Sequence, residues 1–196
     1  MSTRQSSLAD RAGRILLDAD ALGRTLHRIA HEIIEANADL EAVALVGIHT
    51  RGVPLAYRLR RLIEEFSGVE VDLGTIDITF HRDDLHVRGG EAPLHAQPLV
   101  RESKLDFALE GRTCILVDDV LYTGRTIRAA IEALFDYGRP ARVQLAVVAD
   151  RGHRELPIRP DYVGKNLPTA RAERVHVQLV EIDEVDRVVL VTKETT

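Results

Sequence analysis

Thr113-Cys-Ile-Leu-Val-Asp-Asp-Val-Leu-Tyr-Thr-Gly-Arg-Thr-Ile-Arg-Ala-Ala130 is the stretch around which the chain is organised. Residues 113–117 are apolar and β-prone, and two adjacent carboxylates, Asp118 and Asp119, interrupt them. A short turn follows, Tyr122-Thr-Gly-Arg-Thr126, and then Ile127, Ala130, Ile131 and Leu134 recur at helical spacing. The pattern predicts a buried strand, an acidic corner, a turn of small residues and a helix start. Amides in such a turn and in the first helical turn point outward without intrahelical acceptors, which makes a seat for an anion. Two carboxylates beside it suit hydroxyls or a divalent metal. A ribose 5-phosphate, with its phosphate at one end and a cis-diol nearby, satisfies both halves.

Composition bounds what surrounds this stretch. The 196 residues suit one domain with a real core, and 45% apolar with 29% charged residues is the profile of a soluble globular chain. No run approaches the roughly 20 apolar residues of a membrane helix, and the N-terminus lacks an apolar signal core. Cys114 is the only cysteine, so no internal disulfide forms and a buried packing role is expected. A cytoplasmic location without membrane association follows as the expectation. The formal charge of −5 means that a nucleic-acid partner has to be held by a local patch rather than by the overall field.

Working outward, residues 1–17 are expected to form a flexible tail and 18–196 one domain. A helix begins after Asp18 or Asp20, either a suitable N-cap, and runs to about Asn37. Leu22, Leu26, Ile29 and Ile33 define its core stripe, while Arg24, His27, Arg28 and His31 fall opposite. Residues 42–48 form an apolar run typical of a parallel strand covered on both faces. His49-Thr50-Arg51-Gly52 ends it, and Pro54 opens a helix that buries Leu55, Leu59, Leu62 and Phe66. Residues 69–79 give another strand region. Residues 80–110 hold no convincing periodic element, and an irregular segment that long points to a functional lid or arm. Strands are expected again at 142–149 and 175–182, with 187–191 as an antiparallel partner at the sheet edge. Between them an Arg- and Pro-rich loop leads to Tyr162-Val163-Gly164. Alternating strands and helices predict an α/β fold with a mainly parallel sheet. Ligands of such sheets sit at the carboxyl ends of the strands, where 49–52, 118–126 and 150–152 all emerge.

The stretch at 113–130 resembles the 5-phosphoribosyl-1-diphosphate (PRPP) motif of type I phosphoribosyltransferases. More of the chain is similar to the PyrR family, bifunctional pyrimidine-operon attenuation regulators with uracil phosphoribosyltransferase activity. The matching stretches are Arg-Ile-Ala-His-Glu (28–32), Leu-Val-Gly-Ile-His-Thr-Arg-Gly (45–52), Ile-Asp-Ile-Thr (76–79) with Arg-Asp-Asp-Leu (82–85), and Val-Asp-Asp-Val-Leu-Tyr-Thr-Gly-Arg-Thr (117–126). Asp-Arg-Gly-His-Arg-Glu-Leu-Pro-Ile-Arg (150–159) and Gly-Lys-Asn-Leu-Pro-Thr (164–169) complete the set. His49 and His81 depart from the Lys and Tyr usual in that family.

The resemblance implies a type I phosphoribosyltransferase fold, with a small hood and a mobile loop added to the helix-flanked sheet. It implies transfer of phosphoribose from PRPP to uracil, giving UMP and diphosphate, with Mg²⁺ as cofactor held by Asp118 and Asp119 mainly through PRPP. Asp118, Asp119, Arg51 and Arg82 are its candidate catalytic residues. Substrate contacts fall on Thr50, Arg51, Arg82, Asp118, Asp119, Val120, Leu121, Tyr122, Thr123, Gly124, Arg125, Thr126 and Arg151, with the base near Val175. Purine members of the superfamily commonly carry a carboxylate just before the Thr-Gly, and here Tyr122 stands there, which favours a pyrimidine. Residues 139–175 hold eight Arg or Lys against four Asp or Glu. The expected RNA surface joins the helical stripe Arg24, His27, Arg28 and His31 to Arg154, Arg159, Lys165 and Arg171. Implied partners are PRPP, uracil, UMP or UTP, an mRNA leader of pyrimidine genes, and further copies of the chain in a homodimer or homotetramer. A salvage phosphoribosyltransferase without RNA binding is the alternative.

Overall fold

Thr113–Leu121 forms a nine-residue strand, β4, at the centre of a five-stranded parallel sheet. A computed structural model describes residues 13–81 and 102–192; residues 82–101, most of the expected arm at 80–110 and Arg82 with it, lie outside the described residues, as do 1–12 and 193–196. The elements in chain order are β1 (Arg14–Leu17), α1 (Ala19–Ala36), β2 (Val43–Ile48), α2 (Gly52–Ser67), β3 (Asp72–Ile76), a 3-10 turn (Thr79–His81), β4, α3 (Arg125–Phe135), β5 (Arg142–Asp150), β6 (Tyr162–Asn166), β7 (Glu173–Gln178), α4 (Val180–Asp183) and β8 (Arg187–Thr192).

The large sheet has the order β3-β2-β4-β5-β6. The chain leaves β2 for β3 on one side, then crosses back to β4 on the other. The gap between the carboxyl ends of β2 and β4 is therefore the topological switch point, where open α/β sheets take their ligands. Side chains alternate along β4: Ile115 and Val117 join the core under α1 and α2, while Cys114 and Leu116 join the core under α3. Burial pushes the Cys114 thiol up to about 11, which leaves it a packing residue.

α1 starts where Asp18 caps it, its Oδ1 accepting the Ala21 amide at 2.8 Å. Leu22, Leu26, Ile29, Ala30 and Ile33 form the buried stripe, and Arg24, His27, Arg28 and His31 are exposed. α2 ends at Gly68, whose φ of +74° lets its amide reach the Glu64 carbonyl at 2.8 Å. Leu55, Leu59 and Leu62 are buried as expected, whereas Phe66 is half-buried and stacks on the His31 ring at a centroid distance of 4.2 Å.

Four expectations are corrected. Asp118 and Asp119 do not end the strand: β4 pairs with β5 as far as Leu121 opposite Asp150. Each carboxylate accepts the next amide along, Asp119 N–H to Asp118 at 2.9 Å and Val120 N–H to Asp119 at 2.7 Å, so the acids cap their own backbone without breaking the ladder. Residues 14–17, assigned to the tail, form β1 against β8. The antiparallel strands 173–178 and 187–192 lie in a separate three-stranded sheet, β1-β8-β7, a hood, rather than at the edge of the main sheet. Residues 162–166, taken as the end of a loop, form the edge strand β6. Gly164 makes that pairing possible, because a Cβ there would lie 2.3 Å from the Val148 carbonyl oxygen and 2.6 Å from Thr25 Cγ2.

Candidate active site

Three loops meet at the switch point. The first leaves β2 through a cis peptide between His49 and Thr50 and enters α2 at Arg51, its N-cap. Gly52 packs directly on β4: a Cβ there would lie 2.1 Å from the Val117 carbonyl oxygen. That approach sets Arg51 beside the acidic pair. Arg51 Nη2 donates to Asp183 of α4 at 2.8 and 3.1 Å, and the side chain keeps 34% of its surface exposed.

The second loop follows β4. Asp118 is buried, at 8% exposure, and Asp119 is half-buried. Burial pushes the Asp119 carboxyl above the ordinary carboxylate range, against the opposing pull of the Val120 amide and of the Arg51 charge. The pair is thus an electrostatic sink that a cation or ligand hydroxyls would relieve. Val120 and Leu121 carry the strand onward, and Tyr122 and Thr123 lead into Gly124 with φ +95°, a left-handed conformation that favours glycine. Arg125 and Thr126 then open α3, whose first amides have no intrahelical acceptor, the arrangement an anion can use. Thr123 presents its carbonyl to the amides of Glu155 and Leu156 at 3.0 and 3.1 Å, so the turn is braced from outside rather than by the ligand.

The third loop follows β5. Arg151 is 6% exposed, with its guanidinium 4.0 Å from the centroid of the Tyr122 ring and Nε 3.2 Å from Thr169 Oγ1. Arg154, expected on an RNA surface, is engaged internally. It pairs with Asp150 and donates to the Tyr122 carbonyl at 2.7 Å and the Ile158 carbonyl at 2.9 Å. Arg159, Lys165 and Arg171 are exposed. Arg28 donates to the carbonyls of Val163, at 3.0 Å, and Gly164, which joins the α1 stripe to the β6 edge.

Val175, expected near the base, is buried in the core with Val177. Alternation along β7 turns His176 the other way, into the electrostatic field of Arg174, Arg51, Asp119 and Asp183. Thus Thr50, Arg51, Asp118, Asp119 and the 120–126 turn lie at one end of the sheet, Arg151 lies against the Tyr122 ring, and Val175 is buried next to His176 on β7.

A model of the phosphoribosyl transferase domain matches residues 14–181. "Bifunctional protein PyrR" of Thermus aquaticus is 58% identical over 179 residues, 91% of this chain and 96% of that protein. Its counterpart in Clostridioides difficile is 54% identical over 175 residues, 89% and 96% of the two chains. The chain belongs to the PyrR family. A hypoxanthine phosphoribosyltransferase of Trypanosoma cruzi superposes with a TM-score of 0.67 at 19% identity, covering 93% of this chain and 98% of that one. One from Staphylococcus aureus gives 0.66 at 15% identity, covering 95% and 96%. The fold is that of type I phosphoribosyltransferases.

Within this PyrR-family chain two residues escaped the sequence argument, His176 and Asp183. Both belong to the hood, and both reach the site only because the hood folds over the switch point; no local pattern marks either. Burial, with the charges of Arg174 and Arg51, draws the His176 imidazole below its ordinary 6.5. The unfolded chain therefore takes up this proton first as pH falls. Stability contributed by neutral His176 is complete above pH 6.5 and is lost as pH falls through the depressed folded value. His176→Gln should flatten the decline in melting temperature over that acid interval. An unaltered slope would show that His176 is not the group responsible.

Proposed function

We propose that this chain transfers phosphoribose from PRPP to uracil, releasing diphosphate, and that it also binds RNA to regulate pyrimidine genes in the cytoplasm. The carrying observation is the convergence of Arg51, the Asp118–Asp119 pair and the 123–126 turn at one switch point. In this reading the amides and hydroxyls of Thr123, Gly124, Arg125 and Thr126 hold the 5-phosphate, and Asp118 and Asp119 hold the ribose hydroxyls. Arg51 neutralises charge gathering on the departing diphosphate, with Arg82 as its expected partner. Breaking the C1–O bond leaves an oxocarbenium-like centre, so the need is for cations at the leaving group more than for a strong base.

Among the described residues no cluster of three or more His, Cys, Asp or Glu could cage a metal. Two neighbouring carboxylates, one strained by burial, fit Mg²⁺ that arrives largely on PRPP oxygens. Mg²⁺ would supply charge neutralisation at the diphosphate, with Asp118 and Asp119 as its protein-side partners. Tyr122, stacked on Arg151, leaves no carboxylate before the Thr-Gly, which supports a pyrimidine. Assaying purified protein with PRPP, Mg²⁺ and labelled uracil, hypoxanthine and orotate in parallel tests the activity. UMP from uracil with little purine turnover is expected; efficient use of hypoxanthine with no reaction of uracil would overturn it.

The names of the PyrR relatives, which call them bifunctional, support the RNA half. So does the continuity of exposed cations from Arg24 through Arg28 to Lys165, made by the Arg28–Gly164 bond. His31, stacked on Phe66, and Arg28, bonded to β6, serve packing as well, so substitutions there disturb the fold. Arg24→Ala with Lys165→Ala is the cleaner probe. It should weaken leader-RNA binding and lower the magnitude of the salt slope by about one unit for each phosphate that is no longer neutralised, while sparing uracil turnover. An unchanged slope across a salt series removes these two residues from the RNA surface. No described helix is long and apolar enough to cross a membrane. Self-association into a dimer or tetramer belongs to the same reading, and sedimentation measures it.

A further inference from the structure

Two arginines of this region, Arg51 at the N-cap of α2 and Arg58 further along the helix, reach the same hood segment. Arg58 Nε donates to Glu181 at 2.8 Å, and its Nη1 and Nη2 donate to Asp186 at 2.9 and 2.8 Å. Asp186 in turn accepts the Val180 amide at 2.9 Å. These bonds fasten α4 and the residues after it to α2 on both sides of Asp183. Asp183 is held independently as well, since its Oδ2 accepts the Leu179 amide at 3.0 Å. Its side chain is 17% exposed. An aspartate fixed by a backbone amide and a clamped helix is part of the scaffold, not a loose counter-ion that swings away when another anion arrives.

Against that fixed carboxylate, Arg51 presents Nη2 alone, to both oxygens. Arg51 Nε is buried and has no hydrogen-bond partner. A guanidinium has five N–H donors in a rigid plane, so holding one nitrogen fixes where the others point. A buried donor lacking an acceptor is costly, and an anion that brought an oxygen to it would remove that cost.

We propose that Asp183 is a positioning residue for diphosphate recognition: it anchors Arg51 through Nη2, so that the remaining N–H groups, Nε among them, are aimed at the diphosphate of PRPP. The assignment rests on the phosphoribosyltransferase reading. It goes beyond that reading in making the hood, rather than the 49–52 loop alone, responsible for the geometry of the leaving-group site.

The test compares wild type, Asp183→Asn, Asp183→Glu, Arg51→Met and the Arg51→Met/Asp183→Asn double variant. Magnesium pyrophosphate binding is measured by calorimetry, uracil turnover by steady-state kinetics, and folding by thermal melts. Asp183→Asn is expected to weaken pyrophosphate binding and raise KM for PRPP, each about tenfold, with KM for uracil nearly unchanged. Asp183→Glu should recover most of the loss. In the Arg51→Met background the Asn substitution should have no further effect, which a merely structural role for Asp183 would not produce. Unchanged or tighter pyrophosphate binding in Asp183→Asn overturns the proposal, as do additive effects in the double variant or a wild type that binds no pyrophosphate. A wild type that binds pyrophosphate through this coupling but turns over no uracil leaves the anchor standing and removes the uracil activity. Uracil turnover with an indifferent Asp183→Asn does the reverse.

Discussion

Asp118→Asn combined with Asp119→Asn is expected to cut kcat/KM for PRPP by about 10²–10⁴-fold while leaving the ligand-free protein folded and somewhat more stable. Each carboxylate is assigned a charge-assisted hydrogen bond to a ribose hydroxyl, and such bonds contribute about 1.5–3 kcal/mol each. Two of them give about 3–6 kcal/mol, which is the stated factor. The stability gain has the opposite origin. Burial raises the folded-state value of Asp119 above its ordinary 3.8. Below that range both folded and unfolded chains keep the proton, and the acid costs nothing. As pH rises from 3.8 through the raised folded value, the unfolded chain ionises first and the folded state loses relative stability. Asn removes that loss, with a gain on the scale of about 0.5–2 kcal/mol at neutral pH. Melts across pH should show the gain shrinking toward about pH 4, where the wild-type acid is itself protonated. Wild-type kinetics in the double variant, or a variant that fails to fold, would contradict the assignment.

Gly52→Ala is the second large effect. The added Cβ would lie 2.1 Å from the Val117 carbonyl oxygen, 3.1 Å from its carbon and 3.4 Å from Asp118 Cα. All three are backbone atoms of the central strand, so no side chain can rotate away. The start of α2 has to lift off β4, at a cost of about 3 kcal/mol or more. Because Arg51 caps this helix and Asp118 follows Val117, the same movement separates the candidate diphosphate ligand from the acidic pair. A fall in melting temperature together with a collapse of PRPP binding is expected. Gly23→Ala supplies the contrast: a Cβ there meets nothing within 4 Å, and in mid-helix the exchange should stabilise by about 0.5–1 kcal/mol. A Gly52→Ala protein that melts with wild type would mean that α2 does not pack as closely as described.

Both variants lie in segments readable from the chain alone, and the reason is local. The β4–turn–α3 unit announces itself because an apolar run, two acids, a Thr-Gly and a 3.6-residue period are all consecutive. α1 and α2 are equally legible, since the stripes Leu22, Leu26, Ile29, Ile33 and Leu55, Leu59, Leu62 carry their own period. Where the chain pairs with something remote, the signal fades. β1 is four residues long, and its partner β8 lies at the far end of the described chain. β6 is a short edge strand whose defining residue is Gly164, chosen for closeness to Val148 and Thr25 rather than for any pattern.

The amino-acid order by itself determined the parallel sheet, the switch point with its Thr-Gly turn at a helix start, and the placing of two acids beside one arginine loop. Those features follow from nearest-neighbour chemistry and from strand-to-loop order. Only the tertiary structure decided what each charge does. Arg154 clamps Asp150 and the Tyr122 carbonyl instead of facing outward, Arg151 stacks on Tyr122, and His176, not its buried neighbour Val175, stands in the field of Arg51 and Asp119. Asp183, more than a hundred residues from Arg51, holds that arginine by one nitrogen. A charged side chain acquires its role from the partner it meets, and partners far apart in the chain are brought together by burial of the apolar surfaces of the hood and sheet, not by any spacing between the charges themselves.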